Sequence, residues 1–210
     1  MTTLAALQFV LPVLLAGGWT VHAVRLYRRL YRIRRDPLTG LLTRDGWIRA
    51  AERIIRRNRR AVIVLGDLNG FKPVNDKYGH DVGDVVLATV GERLTAWCGT
   101  HAVAGRLGGD ELVAVLRDDQ DLQQRLAELA QLVRQPVVDK DRGLSLQVGI
   151  SLGSARLADL ETPTLAAALK AADTAMYRAK GRGRRGRGHL PPALAALGRR
   201  LTPRRFRLAA

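Results

Sequence analysis

Apolar residues in this chain recur in two rhythms. One is helical. Trp47, Ala51, Ile54 and Ile55 share one face of a segment that Asp45 can cap and that runs to about Arg59. Leu87, Val90, Leu94 and Trp97 stripe a second helix over 83–97, a third covers about 121–135, and Leu165, Leu169, Ala172 and Met176 repeat through a fourth over 165–180. The other rhythm is extended. Ala61-Val62-Ile63-Val64-Leu65 is a continuous apolar run, the pattern of a strand buried on both faces. Two apolar runs flank Gly108-Gly109 and predict a β-hairpin over 102–117, and 144–152 alternates as a further strand. Residues 70–84 read as a polar, turn-rich connection. The order helix, strand, helix, strand, strand, helix, strand, helix predicts an α/β (α+β) sandwich, an antiparallel-rich central sheet flanked by helices.

A different pattern precedes this part. Residues 4–24 carry no charged side chain if His22 is neutral. As a helix they would extend about 32 Å, the thickness of a bilayer core. A signal peptide would want its basic residues before the apolar run. Here six arginines follow it, at 25, 28, 29, 32, 34 and 35. The pattern therefore predicts an N-terminal transmembrane helix with the following side in the cytoplasm. The expected location is a cytoplasmic membrane, single-pass, with lipid as partner through 4–24. Leu26, Leu30 and Ile33 fit the seam of a short coiled-coil stalk, or the lipid interface with their arginines snorkelling. The division expected is a transmembrane anchor at 1–24, a basic juxtamembrane stalk helix at 25–35, a globular domain at 36–185 and a basic, poorly ordered or surface-bound tail at 186–210, a second place for anionic lipid.

Charge sharpens the division. The chain has 35 basic and 19 acidic residues, net +16. No acid precedes Asp36 or follows Asp173, and 181–210 hold nine arginines. The middle, 36–180, has 20 basic residues against all 19 acids, so it is nearly neutral. A domain built to bind nucleic acid would keep a basic face after that subtraction, so no specific nucleic-acid partner is expected. Cys98 is the only cysteine, which excludes an intrachain disulfide and suits a buried small hydrophobe.

The chemistry gathers around Arg106-Leu107-Gly108-Gly109-Asp110-Glu111-Leu112. A hairpin tip without side chains admits a bulky ligand to the backbone, and adjacent acids can hold a hard cation. The same string also reads as an ordinary hairpin with a solvated acidic end. Asp67 ends the apolar strand; alone it reads as a turn residue or helix cap. If the sheet brings Asp67 beside Asp110, two carboxylates about 4 Å apart repel by about 4 kcal/mol at an effective dielectric near 20, and a cation would offset this. Lys72 can meet a phosphate. Asn75 and Asp84 offer the acceptors and donor that suit the edge of guanine. Lys180 and Arg184 either offset the dipole of the fourth helix or grip a triphosphate.

Five ordered motifs over about 36–185 together resemble the GGDEF family of diguanylate cyclases. They are Asp36-Pro37-Leu38-Thr39-Gly40-Leu41-Leu42-Thr43-Arg44, Asp67-Leu68-Asn69-Gly70-Phe71-Lys72-Pro73-Val74-Asn75-Asp76, Gly79-His80-Asp81-Val82-Gly83-Asp84, Gly108-Gly109-Asp110-Glu111-Leu112, and Ala172-Asp173-Thr174-Ala175-Met176-Tyr177-Arg178-Ala179-Lys180. The resemblance implies a nucleotide-cyclase or palm-like fold. It implies a homodimer that condenses two GTP into cyclic di-GMP and two pyrophosphates with Mg²⁺ or Mn²⁺. By motif position, Asp67, Asp110 and the Leu68 carbonyl would hold the metal. Glu111 would assist deprotonation or bind a second metal, with Gly108 and Gly109 making room for the nucleotide. Asn75 and Asp84 would read guanine. Lys72, Lys180, Arg184 and the backbone near Phe71 would hold phosphates.

The departures are specific. Thr43 stands where the family usually has Asn, Asn69 where Asp is common, and Leu112 where Phe is usual. The window Gly99-Thr100-His101-Ala102 lacks the family's inhibitory Arg-x-x-Asp, so no inhibitory site is expected there. The alternative function is a catalytically silent GGDEF-like receptor or scaffold for GTP or cyclic di-GMP.

Overall fold

The computed structural model describes residues 15–25, 34–100, 102–117 and 121–181. Its centre is a five-stranded sheet in the order β1-β3-β4-β2-β7. The strands are β1 (Leu42–Thr43), β2 (Ala61–Asn69), β3 (Ala102–Gly108), β4 (Glu111–Arg117) and β7 (Gly149–Arg156). Only the β1–β3 pairing is parallel; the other three are antiparallel. A small antiparallel pair, β5 (Val137–Asp139) with β6 (Leu144–Leu146), stands apart from it. The helices are α1 (Arg44–Arg57), α2 (Phe71–Tyr78), α3 (His80–Cys98), α4 (Leu122–Arg134) and α5 (Leu165–Lys180).

β2 is buried on both faces because it lies between two cores. Val62, Val64 and Leu68 enter a cluster with Val86, Val90 and Leu94 of α3 and Leu129 of α4. Ala61, Ile63 and Leu65 enter the other, with Trp47 and Ala51 of α1 and Leu169, Ala172 and Met176 of α5. Period-2 alternation sends successive residues into opposite layers, which explains the unbroken apolar run. The expected mixed α+β architecture, with an antiparallel-rich sheet flanked by helices, is what the chain forms.

Three local expectations change. Helix α1 starts at Arg44, and its cap is Thr43, whose hydroxyl accepts from Gly46 N; Asp45 lies in the first turn. The connection at 70–84 is mostly helical: α2 ends at Gly79, and α3 begins at once. Pro73 sits in the first turn of α2, where its missing N–H is harmless. The strand expected over 144–152 is two strands, β6 and β7, in different sheets.

The membrane expectation is overturned. Among the described residues no helix is long and apolar enough to cross a membrane. Within the N-terminal stretch the described residues 15–25 are helical. The single-pass location in the bacterial cytoplasmic membrane, with lipid as a partner through 4–24, falls with that expectation. Residues 4–14, the stalk seam at 26–33 and the tail at 186–210 lie outside the described residues.

Candidate active site

The signature string forms the tip of the β3–β4 hairpin. Gly109 and Asp110 are the turn, and Gly108 pairs with Glu111. Gly108 and Gly109 have φ of 153° and 53°, a backbone that favours glycine. β4 lies against β2 in a register that sets Glu111 directly opposite Asp67. On the other flank of Asp67 is Ser151 of β7, whose hydroxyl donates to Asn69 Oδ1 at 2.7 Å. The Leu68 N–H donates to the Asp110 carbonyl at 3.4 Å, tying the end of β2 to the tip. The structure thus gathers Asp67, Leu68, Asp110 and Glu111 at one sheet end.

The gathered acids raise one another's proton affinity. Burial pushes the Asp110 carboxyl above its ordinary range, and Asp67 adds to the rise. Burial also raises Glu111, followed by Asp67 and Asp110. One cation comes from the end of α5, where Lys180 Nζ forms an ion pair with Asp67. The Arg44 charge also favours ionised Glu111, and Arg44 Nε donates to the Leu107 carbonyl at 3.2 Å. Two carboxylates and a backbone carbonyl make an oxygen-only donor set, the kind a hard Mg²⁺ or Mn²⁺ ion takes. Acids that raise one another's proton affinity fit such an ion. Among the described residues no group of three or more His, Cys, Asp or Glu side chains could hold a metal ion alone.

The other expected residues lie on α2 and α3, directly after β2. Phe71 is buried and opens α2, with Lys72 exposed beside it. Asp84 is exposed on α3, within a helix rather than on a turn. The Asn75 Oδ1 atom is buried with no hydrogen-bond partner, the only such side-chain atom among the described residues. It lies against Gly83, the chain neighbour of Asp84. Arg184 lies outside the described residues. Thr100 and Ala102, from the window expected to lack an inhibitory motif, line a cleft of about 760 Å³ with Arg53, Arg57, Asn58 and Arg117. That cleft is at the opposite end of the sheet from Asp67.

Sequence reasoning missed three contributors. Asp173 is a buried acid on α5, raised by burial, and its charge in turn raises Glu111. An acid inside an apolar helical stripe was the available signal. Arg106 spans the tip: Nε donates to the Gly109 carbonyl at 2.9 Å, and Nη1 pairs with Asp36 Oδ1 at 3.1 Å. Arg44 is the third, and like Arg106 it reaches a partner far away in sequence.

Fold and site together define a mixed α+β domain in which an interior strand and a glycine hairpin tip gather three acids and a lysine at one sheet end. Comparison with known proteins narrows this. Residues 33–186 match the family described as diguanylate cyclase, GGDEF domain, and the chain belongs to that family. An uncharacterized 19.3 kDa protein of Streptomyces ambofaciens is 48% identical over 169 residues, 80% of this chain and 90% of that protein. Diguanylate cyclase DgcP of Escherichia coli K12 is 36% identical over 151 residues, 69% of this chain; the chain spans 44% of DgcP. A sensory box/GGDEF family protein from Caulobacter crescentus CB15 superposes with a TM-score of 0.63 at 34% identity, covering 70% of this chain and 97% of that one.

Proposed function

We propose that this chain is a diguanylate cyclase that condenses two GTP into cyclic di-GMP and two pyrophosphates, with each half of a homodimer presenting one GTP. The observation that carries the reading is the meeting of Asp67, Asp110 and Glu111 at the glycine tip, with Lys180 against Asp67. In each of two equivalent steps a 3′-hydroxyl loses its proton and its oxygen bonds to the α-phosphorus of the other nucleotide. The bond from that phosphorus to the bridging oxygen of the β-phosphate breaks, and pyrophosphate leaves.

The residues divide this work. Asp67, Asp110 and the Leu68 carbonyl would hold Mg²⁺, which when bound neutralises phosphate charge. Glu111 takes the hydroxyl proton; its raised proton affinity suits a general base better than an ordinary glutamate would. Asn75 and Asp84 accept the N–H groups of guanine. Lys72 and Lys180 hold phosphates, with Arg184 after them in the chain, and the bare tip at Gly108-Gly109 lets the nucleotide close on the backbone.

The test is incubation of the full chain with GTP and Mg²⁺, with product read by mass spectrometry. Cyclic di-GMP is expected. Asp110→Asn should abolish it and leave thermal unfolding cooperative. A folded sample that binds GTP and yields no cyclic dinucleotide would overturn the enzymatic reading in favour of a silent receptor.

A further inference from the structure

Helices α2 and α3 meet at Gly79, and their facing sides pack unusually closely. A Cβ placed on Gly83 would lie 1.8 Å from Asn75 Oδ1, 2.9 Å from Asn75 Cγ and 3.3 Å from Phe71 Cζ. Carbon cannot approach oxygen to 1.8 Å without bonding, so any side chain at 83 would force Asn75 out of its present position. The glycine therefore makes the seat in which this amide lies. The Oδ1 atom held there is buried and accepts no hydrogen bond. A buried acceptor without a donor is uncommon in a native fold and calls for an explanation. A ligand that brings its own N–H supplies one.

We infer that Gly83 is a specificity-determining position, whose missing side chain keeps the Asn75 amide oxygen seated to accept an N–H from a purine edge. The inference rests on the GTP reading above and goes beyond it. Recognition depends on a residue that offers no hydrogen bond and acts through Asn75, so Gly83 is a positioning residue. Guanine presents an N–H at ring position 1 and an exocyclic amine at position 2. Adenine presents an acceptor at position 1 and no amine at position 2. Displacing the Asn75 oxygen should therefore weaken GTP binding and leave ATP binding unchanged.

The probes are 3′-deoxy-GTP and 3′-deoxy-ATP, which lack the attacking hydroxyl and cannot react. Their binding to the full chain is measured by titration calorimetry with Mg²⁺ present. Gly83→Ala should weaken the guanine nucleotide by about tenfold or more, the scale of one lost buried hydrogen bond, with the adenine nucleotide unaffected. Asn75→Ala should do the same. In the double variant the new methyl group no longer meets an amide, so Gly83→Ala should add less than about twofold to Asn75→Ala. Thermal unfolding should follow the same logic, with the Gly83→Ala loss reduced in the Asn75→Ala background. An unchanged guanine-to-adenine ratio in Gly83→Ala, or additive effects in the double variant, would overturn the inference. A wild-type chain that does not bind 3′-deoxy-GTP would instead overturn the GTP reading itself.

Discussion

Replacing Glu111 with Gln should stabilise the metal-free protein while removing its activity. Glu111 and Asp67 face one another across the β2–β4 ladder. Side chains at such positions have Cβ atoms about 5 Å apart. Two unit charges at that distance repel by about 3 kcal/mol at an effective dielectric near 20. The gross figure shrinks in place, because Lys180 already pairs with Asp67 and water reaches both carboxylates. Like charges directly opposite on a sheet typically cost up to about 1 kcal/mol. Glutamine keeps the shape and loses the charge, so the expected gain is about 1 kcal/mol, or about 2–4 °C in Tm for a chain of this size. The pH dependence fixes the cause. Burial, Asp67 and Asp110 raise the Glu111 carboxyl above its ordinary value of 4.5. For a raised acid the penalty is full above the folded pKa and is relieved as pH falls through the window towards the unfolded value. The stability difference between variant and wild type should therefore be largest near pH 7 and vanish by about pH 4. The assay is thermal unfolding in chelator at both pH values. A Glu111→Gln protein less stable than wild type near neutral pH, or a gain that is the same at both, would refute the like-charge argument.

Two other substitutions probe the supports of the site. Gly153→Ala would place a Cβ 2.2 Å from the Ala172 carbonyl oxygen and 2.2 Å from Met176 N, both backbone atoms of α5. Overpacking there should cost about 1–3 kcal/mol, read as a lower urea midpoint; an unchanged midpoint would mean that α5 does not lie so close to β7. Arg106→Ala removes the ion pair to Asp36 and the bond to the Gly109 carbonyl, and should cost about 1–3 kcal/mol near neutral pH. Burial raises Asp36, but hydrogen bonds from Thr39 and Arg106 outweigh it and hold the carboxyl below its ordinary 3.8. A lowered acid contributes stability above its unfolded pKa and loses it as pH falls through the folded one. The cost of Arg106→Ala should accordingly shrink at about pH 3; urea midpoints giving an equal cost at both pH values would refute the assignment.

What was legible in the sequence were the elements whose burial is written locally. β2 has a continuous apolar run because both its faces are covered, and α5 has a clear stripe because only one is. The hairpin was legible because apolar strands flank a glycine pair. α2 was hidden. Its eight residues, Phe71–Tyr78, bury only Phe71, and Pro, Asn, Asp and two flanking glycines look like a turn. The break between β6 and β7 was hidden because alternation continues through it. Residue type and spacing singled out Asp67, Asp110, Glu111 and Lys180, which the fold brings to one sheet end. Arg44, Arg106 and Asp173 were not singled out, since Arg44 and Arg106 act across more than sixty residues and their meaning exists only in the folded sheet. The apolar stretch at 4–24 misled because hydropathy alone stood in for a span that the described helix does not form.

The division of β2 between two cores also divides the site. Odd positions of β2 face α1 and α5, as Ile63 and Leu65 show, and Asp67 continues that parity to meet Lys180. Glu111 shares this face by its register with Asp67. Asn75 and Asp84 come instead from α2 and α3, which pack on the opposite face through Phe71, Val86, Leu87 and Val90. In the proposed reading the carboxylates that would hold the metal, with Lys180, therefore depend on α5, while Lys72 and the base-reading pair depend on α2 and α3. They meet only where β2 runs out, beside a hairpin tip that carries no side chain at 108 or 109. The two halves should fail separately. Crowding α5 at Gly153 should weaken pyrophosphate and nucleotide binding of either base, because it moves Lys180. Crowding α3 at Gly83 should erase the preference for guanine and leave pyrophosphate binding intact. Loss of both properties in both variants would mean that the layers move as one body and that the sheet does not insulate them.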